Sequence, residues 1–78
     1  MKIKLTKAKR SVTVNTPFIR MDDFLKLASA VASGGQAKQA IQSGQVLYNG
    51  KVCTQRGKKL GNGDTAEYNG IVYEVVTE

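Results

Sequence analysis

The greatest concentration of side chains able to bind a ligand is a basic loop in the second half of the chain. Arg56-Gly57-Lys58-Lys59 places three cations within four positions, and Lys51 precedes them by five residues. Arginine can hold a phosphate through two parallel hydrogen bonds, and lysine supplies a mobile point charge. Like charges in a short loop repel one another unless a polyanion is bound, so this pattern predicts phosphate contacts from these residues. A loop that serves only solubility is the alternative.

A second candidate surface is the exposed edge of two predicted helices. The amides that open the second helix, near Gly35 and Gln36, are expected to point to solvent, where a helix N-terminus attracts phosphate. Lys38 adds a charge one turn later. The candidate residues on this surface are Arg20, Lys26, Ser33, Gly35, Gln36, Lys38, Gln39 and Gln42. An ordinary solvated helix face has the same composition, and from this surface alone that interpretation is favoured.

Motifs for catalysis are missing from the sequence. The chain has no histidine, which removes the commonest general base and the commonest metal ligand together. Val52 and Lys59 stand where a nucleotide-binding phosphate loop needs a glycine and a Ser or Thr. Asp22 and Asp23 are adjacent on a predicted helix and do not face each other. We therefore expect no enzyme activity, no metal site and no cofactor.

Cys53 and the tyrosines are expected to have packing roles. Cys53 is the only cysteine, falls in a predicted strand and has no histidine partner, so a packed thiol is favoured over a nucleophile. Tyr48, Tyr68 and Tyr73 also fall within predicted strands. Core packing is favoured for them over a platform on which nucleic-acid bases stack.

Charge is distributed unevenly over the 78 residues, which are enough for one domain. Residues 1–10 contain five basic residues and no acid, residues 11–60 contain seven basic and two acidic residues, and residues 61–78 contain four acids and no base. The positive part should attract a polyanion, and in the cytoplasm the default polyanion is nucleic acid. We expect a cytoplasmic protein with no membrane contact, because the sequence shows neither a signal peptide nor a long apolar run.

The first predicted helix covers residues 21 to about 32. Its apolar residues recur at helical spacing, and the acids of the first turn suit the helix dipole. The apolar arc contains Met21, Phe24, Leu25, Leu27, Ala28 and Val31. On the polar side, Asp22 is placed to pair with Lys26.

The second predicted helix covers residues 36–43. Ser33-Gly34-Gly35 is expected to break the chain before it, and Gly44 is expected to occupy the C′ position after it. Ala37, Ala40 and Ile41 share one face, and these small side chains should let the two helices lie close together.

Two Asn-Gly pairs, at positions 49–50 and 69–70, predict two β-hairpins with positive φ at both glycines. A two-residue turn at 69–70 puts Ala66 opposite Tyr73, which gives one apolar face and one face that carries Glu67 and Glu74. The predicted strands are 46–48, 51–53, 65–68 and 71–76.

Taken together, these features resemble the RNA-binding domain of the ribosomal protein S4 type. The resemblance extends over about residues 18–66 and rests on the order and spacing of several short motifs. They are Arg20-Met21-Asp22-Asp23-Phe24-Leu25, Ala37-Lys38, Ile41, Gly44-Gln45-Val46, Tyr48-Asn49-Gly50-Lys51, Leu60 and Gly63-Asp64. The segments 33–38 and 55–60 are most similar to small stand-alone bacterial members. One departure is Gly34, because many members have an arginine there.

The resemblance implies an α+β fold in which a two-helix platform packs on a small, mainly antiparallel sheet. It also implies non-catalytic binding of structured RNA, most often ribosomal RNA, and a place in ribosome assembly or translation. Matching positions give Arg20, Ser33, Lys38, Lys51 and the loop 56–59 as contacts. We expect a monomer in which residues 18–78 form the S4-like domain and residues 1–17 form a basic arm or edge strands, since 2–7 and 11–15 alternate in polarity.

Two other functions fit the sequence. One is a protein-interaction adaptor that uses the acidic end of the sheet. The other is a subunit that delivers RNA to a separate RNA-modifying enzyme.

Overall fold

The computed structural model of the protein describes residues 8–78. In chain order the elements are β1 (Ala8–Val14), β2 (Phe18–Arg20), α1 (Met21–Leu27), α2 (Gly34–Gln42), β3 (Val46–Tyr48), β4 (Lys51–Val52), β5 (Lys59–Gly61), β6 (Thr65–Tyr68) and β7 (Ile71–Thr77). Neither helix in this part of the chain has the length or apolar character needed to cross a membrane.

Five strands form the main sheet in the order β1-β7-β6-β3-β4. Every neighbouring pair is antiparallel except β1 and β7, which run parallel. Parallel neighbours need a long crossover connection, and here that connection contains nearly the whole domain. A separate antiparallel pair joins β2 to β5. The predicted α+β fold, with two helices on a mainly antiparallel sheet, is confirmed. β1 lies at one edge, whereas the strand predicted over 2–7 lies outside the described residues, and the division of the chain after residue 17 stays a prediction.

Both Asn-Gly turns have the backbone conformation that the sequence predicts. Asn49 and Gly50 have φ of 48° and 87°, and Asn69 and Gly70 have φ of 57° and 82°. Positive φ at both central residues defines the type I′ turn, whose twist matches that of the flanking strands. The second turn places Ala66 opposite Tyr73, as expected, so the apolar face of this hairpin meets the helices.

The core lies between the helices and the inner face of the sheet. Both helices contribute apolar residues at the predicted spacing, and the sheet contributes the residues of its alternating inner face. The buried core residues are Val14, Met21, Phe24, Leu25, Val31, Ala37, Ala40, Ile41, Val46, Leu60, Ala66, Tyr73 and Val75. Tyr48, Tyr68 and Cys53 pack against this core but are only partly buried.

The first helix is shorter than predicted, because it ends at Leu27 rather than near residue 32. Ser29 takes the left-handed conformation with φ of 59°. The Ala30 N–H then donates to the Leu25 carbonyl at 2.9 Å and the Ser29 N–H to that of Lys26 at 3.0 Å. These two bonds form a Schellman motif with serine in the position that glycine usually takes. Leu27, at the margin of the predicted apolar arc, is 53% exposed.

The second helix starts earlier than predicted, because Gly34 and Gly35 form its first turn instead of breaking the chain. Ser33 is the N-cap, and its Oγ accepts a hydrogen bond from the Gln36 N–H at 3.2 Å. Gly44 has φ of 81° and occupies the C′ position, as the sequence predicts. The Gly44 N–H donates to the Ile41 carbonyl at 3.1 Å and the Gln45 N–H to that of Ala40 at 3.0 Å, so a second Schellman motif ends this helix.

Asp64 ties the turn before β6 to the β3–β4 hairpin. Its Oδ2 accepts from the Gly61 N–H at 2.7 Å, and its Oδ1 accepts from Asn49 Nδ2 at 3.1 Å. Asn49 Oδ1 in turn accepts from the Thr65 N–H at 2.7 Å. The hydrogen bond from Gly61, helped by Asn49, Tyr48 and the charge of Lys58 and partly opposed by burial, lowers the pKa of the Asp64 carboxyl below its ordinary value.

Replacing Asp64 by Asn should make the domain less stable at neutral pH and less sensitive to acid. A folded-state pKa below the unfolded value means that the ionised carboxylate stabilises the fold at neutral pH. That contribution is lost as the pH falls below about 4 and through the folded-state pKa. We expect Asp64→Asn to lower the free energy of unfolding by about 1–2 kcal/mol at pH 7, measured by urea denaturation, and by less at pH 3.

Asp23→Asn is the matched control, because this carboxylate is about half exposed and makes one surface ion pair. Its effect at pH 7 should stay below about 1 kcal/mol. Equal stability of Asp64→Asn and the unmodified protein at both pH values would contradict the role given to Asp64.

Candidate functional site

The basic loop is attached to the first helix through its backbone. Arg20 is the N-cap of α1, and its side chain makes no cap hydrogen bond. Instead, the Met21 N–H donates to the Lys58 carbonyl at 2.8 Å, and the Asp22 N–H donates to the Arg56 carbonyl at 3.1 Å. β2 and β5 continue this attachment, with Arg20 opposite Lys59. The loop carbonyls therefore accept hydrogen bonds from these two amides at the start of α1, and the helix holds the loop in place.

The basic loop surface comprises Arg20, Lys51, Arg56, Gly57, Lys58 and Lys59. The Arg20 guanidinium lies over Gly57, where an added Cβ would be 3.7 Å from Nη2. The same guanidinium donates two hydrogen bonds of 3.2 Å to Asp22. Lys58 Nζ lies 4.8 Å from the centre of the Tyr48 ring, which is a cation–π contact. The structure thus brings together six of the predicted site residues on one side of the molecule.

The helix junction comprises Lys26, Ser33, Gly34, Gly35 and Gln36. Lys26 Nζ pairs with Asp23 at 3.4 Å, and not with Asp22 as predicted, because Asp22 is taken by Arg20. The same ammonium lies 3.9 Å from the position of a Cβ on Gly34. Lys26 therefore brings its charge to the N-terminus of α2, where an anion is favoured.

Ser33 and Gln36 have structural roles in addition to any contact with a ligand. Ser33 Oγ accepts from the Gln36 N–H, and Gln36 Oε1 accepts from the Ala32 N–H at 2.9 Å. This arrangement resembles a capping box and occupies the amide of Gln36. The prediction that this amide is free for phosphate is wrong, because the serine hydroxyl already occupies it.

The basic loop surface and the helix junction lie at opposite ends of α1, whose seven residues extend over about 10 Å. Lys38 and Gln39 are exposed further along α2, beyond the junction. The predicted site residues thus form an extended strip rather than a single pocket.

Ion pairing distinguishes the cations within this strip. Arg20 and Lys26 are each paired with an aspartate of α1. Over residues 8–78, no ion pair to a carboxylate is seen for Lys38, Lys51, Arg56, Lys58 or Lys59. The charge that remains available to a polyanion is therefore concentrated in the basic loop surface.

An open groove beside the basic loop was not expected from the sequence. It has a volume of about 300 Å³ and is lined by Tyr48, Lys51, Val52, Cys53, Thr54, Gln55 and Lys58. The β3–β4 register places Tyr48 directly opposite Lys51. The two-residue turn predicted at 49–50 already pairs Tyr48 with Lys51. The sequence therefore contained a signal that an aromatic ring lies beside a cation.

Comparisons with known proteins agree with this geometry. The family model of the S4 domain matches residues 12–76. Over 60 residues the chain is 39% identical to RlbA of Bacillus subtilis (strain 168), a protein named for ribosome maturation, with 77% of this chain and 84% of that protein covered. Over 60 residues it is 40% identical to YbcJ of Escherichia coli (strain K12), named for RNA binding, with 77% and 86% covered.

A solved structure extends the likeness to the whole fold. The solution structure of YbcJ from E. coli, described as containing an αL motif involved in RNA binding, matches with a TM-score of 0.63 and 34% identity. The match covers 97% of this chain and 95% of that chain. Because the family model covers most of the sequence and these relatives align over most of their own length, the chain belongs to the S4 domain family.

Proposed function

We propose that this protein binds structured RNA without catalysing a reaction, and that its RNA is ribosomal. The observation that carries the proposal is the basic loop, where Arg56, Lys58 and Lys59 make no ion pair with a carboxylate of residues 8–78 and lie on a backbone attached to α1. The names of the relatives, which refer to RNA binding and ribosome maturation, support this choice of ligand. We further propose that the protein acts as a cytoplasmic monomer on a ribosomal particle during its assembly or in translation.

Recognition would rest on RNA shape and on phosphate contacts. The deep, narrow major groove of A-form RNA excludes side chains, so proteins contact its backbone, its 2′-hydroxyls and its unpaired bases. A strip of cations that extends from the basic loop surface at the start of α1 to Lys26 and Lys38 suits such a ligand. The proposed contacts are Arg20, Lys26, Ser33, Gly35, Gln36, Lys38, Gln39, Lys51, Arg56, Gly57, Lys58 and Lys59.

The primary test compares folded RNA with duplex DNA of equal length and charge. We expect tighter binding to an RNA hairpin, because A-form geometry and the 2′-hydroxyl distinguish the two. Competition titrations at several salt concentrations measure the difference. Equal affinities throughout would mean that the protein binds any polyanion, and the proposed function would then be wrong.

A charge-matched pair of variants tests whether the basic loop surface is the binding site. Replacing Arg56, Lys58 and Lys59 by Gln removes three charges whose backbone is already ordered, so little ordering entropy opposes their contacts. The logarithm of the binding constant changes with the logarithm of salt concentration by about −0.7 to −0.9 per phosphate contact. We expect the loop variant to flatten this slope by roughly 2 to 3 units and to weaken binding strongly.

The control replaces Lys2, Lys4 and Lys7 by Gln, which removes the same number of charges from the N-terminal segment. Lys9 and Arg10 are left in place because they belong to β1. A smaller loss of affinity is expected from this control. If it weakens binding as much as the loop variant does, total charge rather than the loop determines affinity, and the site assignment is wrong.

Gly34→Arg should strengthen RNA binding, since it restores the arginine that many family members carry at this position. Gly34 does not have positive φ, and the nearest atom to an added Cβ is Lys26 Nζ at 3.9 Å, an ordinary contact. We expect one further phosphate contact, seen as a salt slope steeper by about 0.7 to 0.9. Gly34→Gln is the control, because it adds a side chain of similar length without charge. The same slope for both variants would contradict a phosphate contact at the helix junction.

A further inference from the structure

The groove beside the basic loop is built on fixed elements. One wall is the turn at residues 55–58, which is closed by the Lys58 N–H donating to the Gln55 carbonyl at 3.2 Å. The opposite wall is the β3–β4 hairpin, which continues beyond β4 through the Cys53 N–H donating to the Val46 carbonyl at 3.0 Å. The Cys53 thiol is directed to the Gln55 carbonyl at 3.6 Å. The two backbone bonds each hold one wall and the thiol contact joins the walls, so the groove is present before any ligand binds.

Tyr48 differs from the core tyrosine of the same sheet. Tyr73 is 3% exposed, whereas Tyr48 is only partly buried and lines the groove. The Tyr48 side chain also lies near enough to Asp64 to help lower the pKa of that carboxyl, and the ring packs against the core. A cation, Lys58, lies over one ring face at 4.8 Å. The ring is therefore a positioned aromatic surface beside mobile positive charge.

The other groove residues complement a nucleobase and its phosphate. Val52 and Cys53 supply apolar surface, and Thr54 and Gln55 supply hydrogen-bonding groups for a base edge. Lys51, opposite Tyr48 on β4, and Lys58, over the ring, supply charge at the groove. The volume of about 300 Å³ is at the lower limit for small-molecule sites, which suits one planar ring system rather than a base pair.

We infer that this groove holds the base of one unpaired nucleotide of the bound RNA, an inference that rests on the proposed function. The base stacks against Tyr48, and the adjoining phosphates contact Lys51 and Lys58. Lys58 leaves the ring face for the phosphate when RNA binds. The basic loop surface would then contact the helical part of the RNA, and the groove would recognise a bulge or a loop within it.

The test uses the full chain and three RNA hairpins that differ at one position: fully paired, with a single bulged uridine, and with an abasic bulge. Stacking of a base on an aromatic ring should make the bulged hairpin bind about ten-fold more tightly than the paired one. The abasic bulge has the same backbone and flexibility without a base, and it should bind like the paired hairpin. A 4-thiouridine bulge should form a photo-crosslink that mass spectrometry maps to the groove residues.

Variants of Tyr48 connect the effect to the ring. Tyr48→Phe keeps the ring and should keep the preference for the bulged hairpin, although it removes the hydroxyl that helps lower the pKa of the Asp64 carboxyl. Tyr48→Leu removes the ring and should abolish the preference, so that the bulged and paired hairpins bind with equal affinity. Phe18→Leu is the matched control, because Phe18 is 61% exposed and packs on Gly61 outside the groove. Thermal unfolding checks that each variant folds.

The outcomes distinguish an error in the inference about the groove from an error in the proposed function. Equal binding of bulged and abasic hairpins, or a preference that persists in Tyr48→Leu, overturns the groove while the proposed function stands. Failure of all three hairpins to bind overturns both. If Tyr48→Leu does not fold, the hairpin comparison and the crosslink map with the unmodified protein decide the question, and a crosslink located only on α2 overturns the groove.

Discussion

Two backbone hydrogen bonds, from Met21 to Lys58 and from Asp22 to Arg56, determine how the rest of this domain is arranged. A helix of seven residues is too short to be stable alone, and this one has no side-chain N-cap. Its first amides are satisfied by the loop between β4 and β5, which otherwise has little regular structure. The contact therefore connects the helices to the sheet, orders a loop of repelling cations, and places the Arg20 guanidinium over Gly57. The stability of the fold and the charge of the site depend on the same few atoms.

The distribution of ion pairs explains why the basic loop surface can bind an anion. Asp22 and Asp23 suit the N-terminus of α1, where the helix dipole favours acids, and each also neutralises a neighbouring cation, Arg20 or Lys26. The lysines and arginine of the loop form no ion pair with a carboxylate of residues 8–78, although the charge of Asp64 reaches Lys58, and they repel one another. Because the loop backbone is fixed, this repulsion cannot be relieved simply by spreading the loop. A polyanion relieves it, and the release of counterions from the polyanion adds to the driving force.

The features that the sequence predicts well are those set by neighbouring residues. The Asn-Gly turns, the C′ glycine at 44, and the buried faces of both helices follow from local backbone preference and periodicity. The short β2–β5 pair was missed because three residues carry no detectable alternation. Ser29 in the left-handed conformation and Gly34 inside a helix were missed because tertiary packing and the Ser33 cap override intrinsic preference. For the site, charge identified the cations, but the groove depends on how the turn at 55–58 meets the hairpin, which no local pattern encodes.

Asp64 connects the structural frame to the groove. Its carboxylate accepts from Gly61 and Asn49, and it lies close enough to the Tyr48 side chain and to Lys58 for both to lower its pKa. The Asp64 side chain therefore lies where the β3–β4 turn, the turn before β6 and the Tyr48 ring meet. Its charge also attracts Lys58, which lies over that ring. A phosphate that enters the groove adds a second negative charge near Lys58, and the lysine can move to it without leaving the field of Asp64. The ring on which a base would stack is thus packed into the frame, whereas Lys58 reaches that ring through its own flexible stem. A site that accepts different RNA backbones but selects an unpaired base needs a ring in a fixed position and a charge on a flexible side chain beside it.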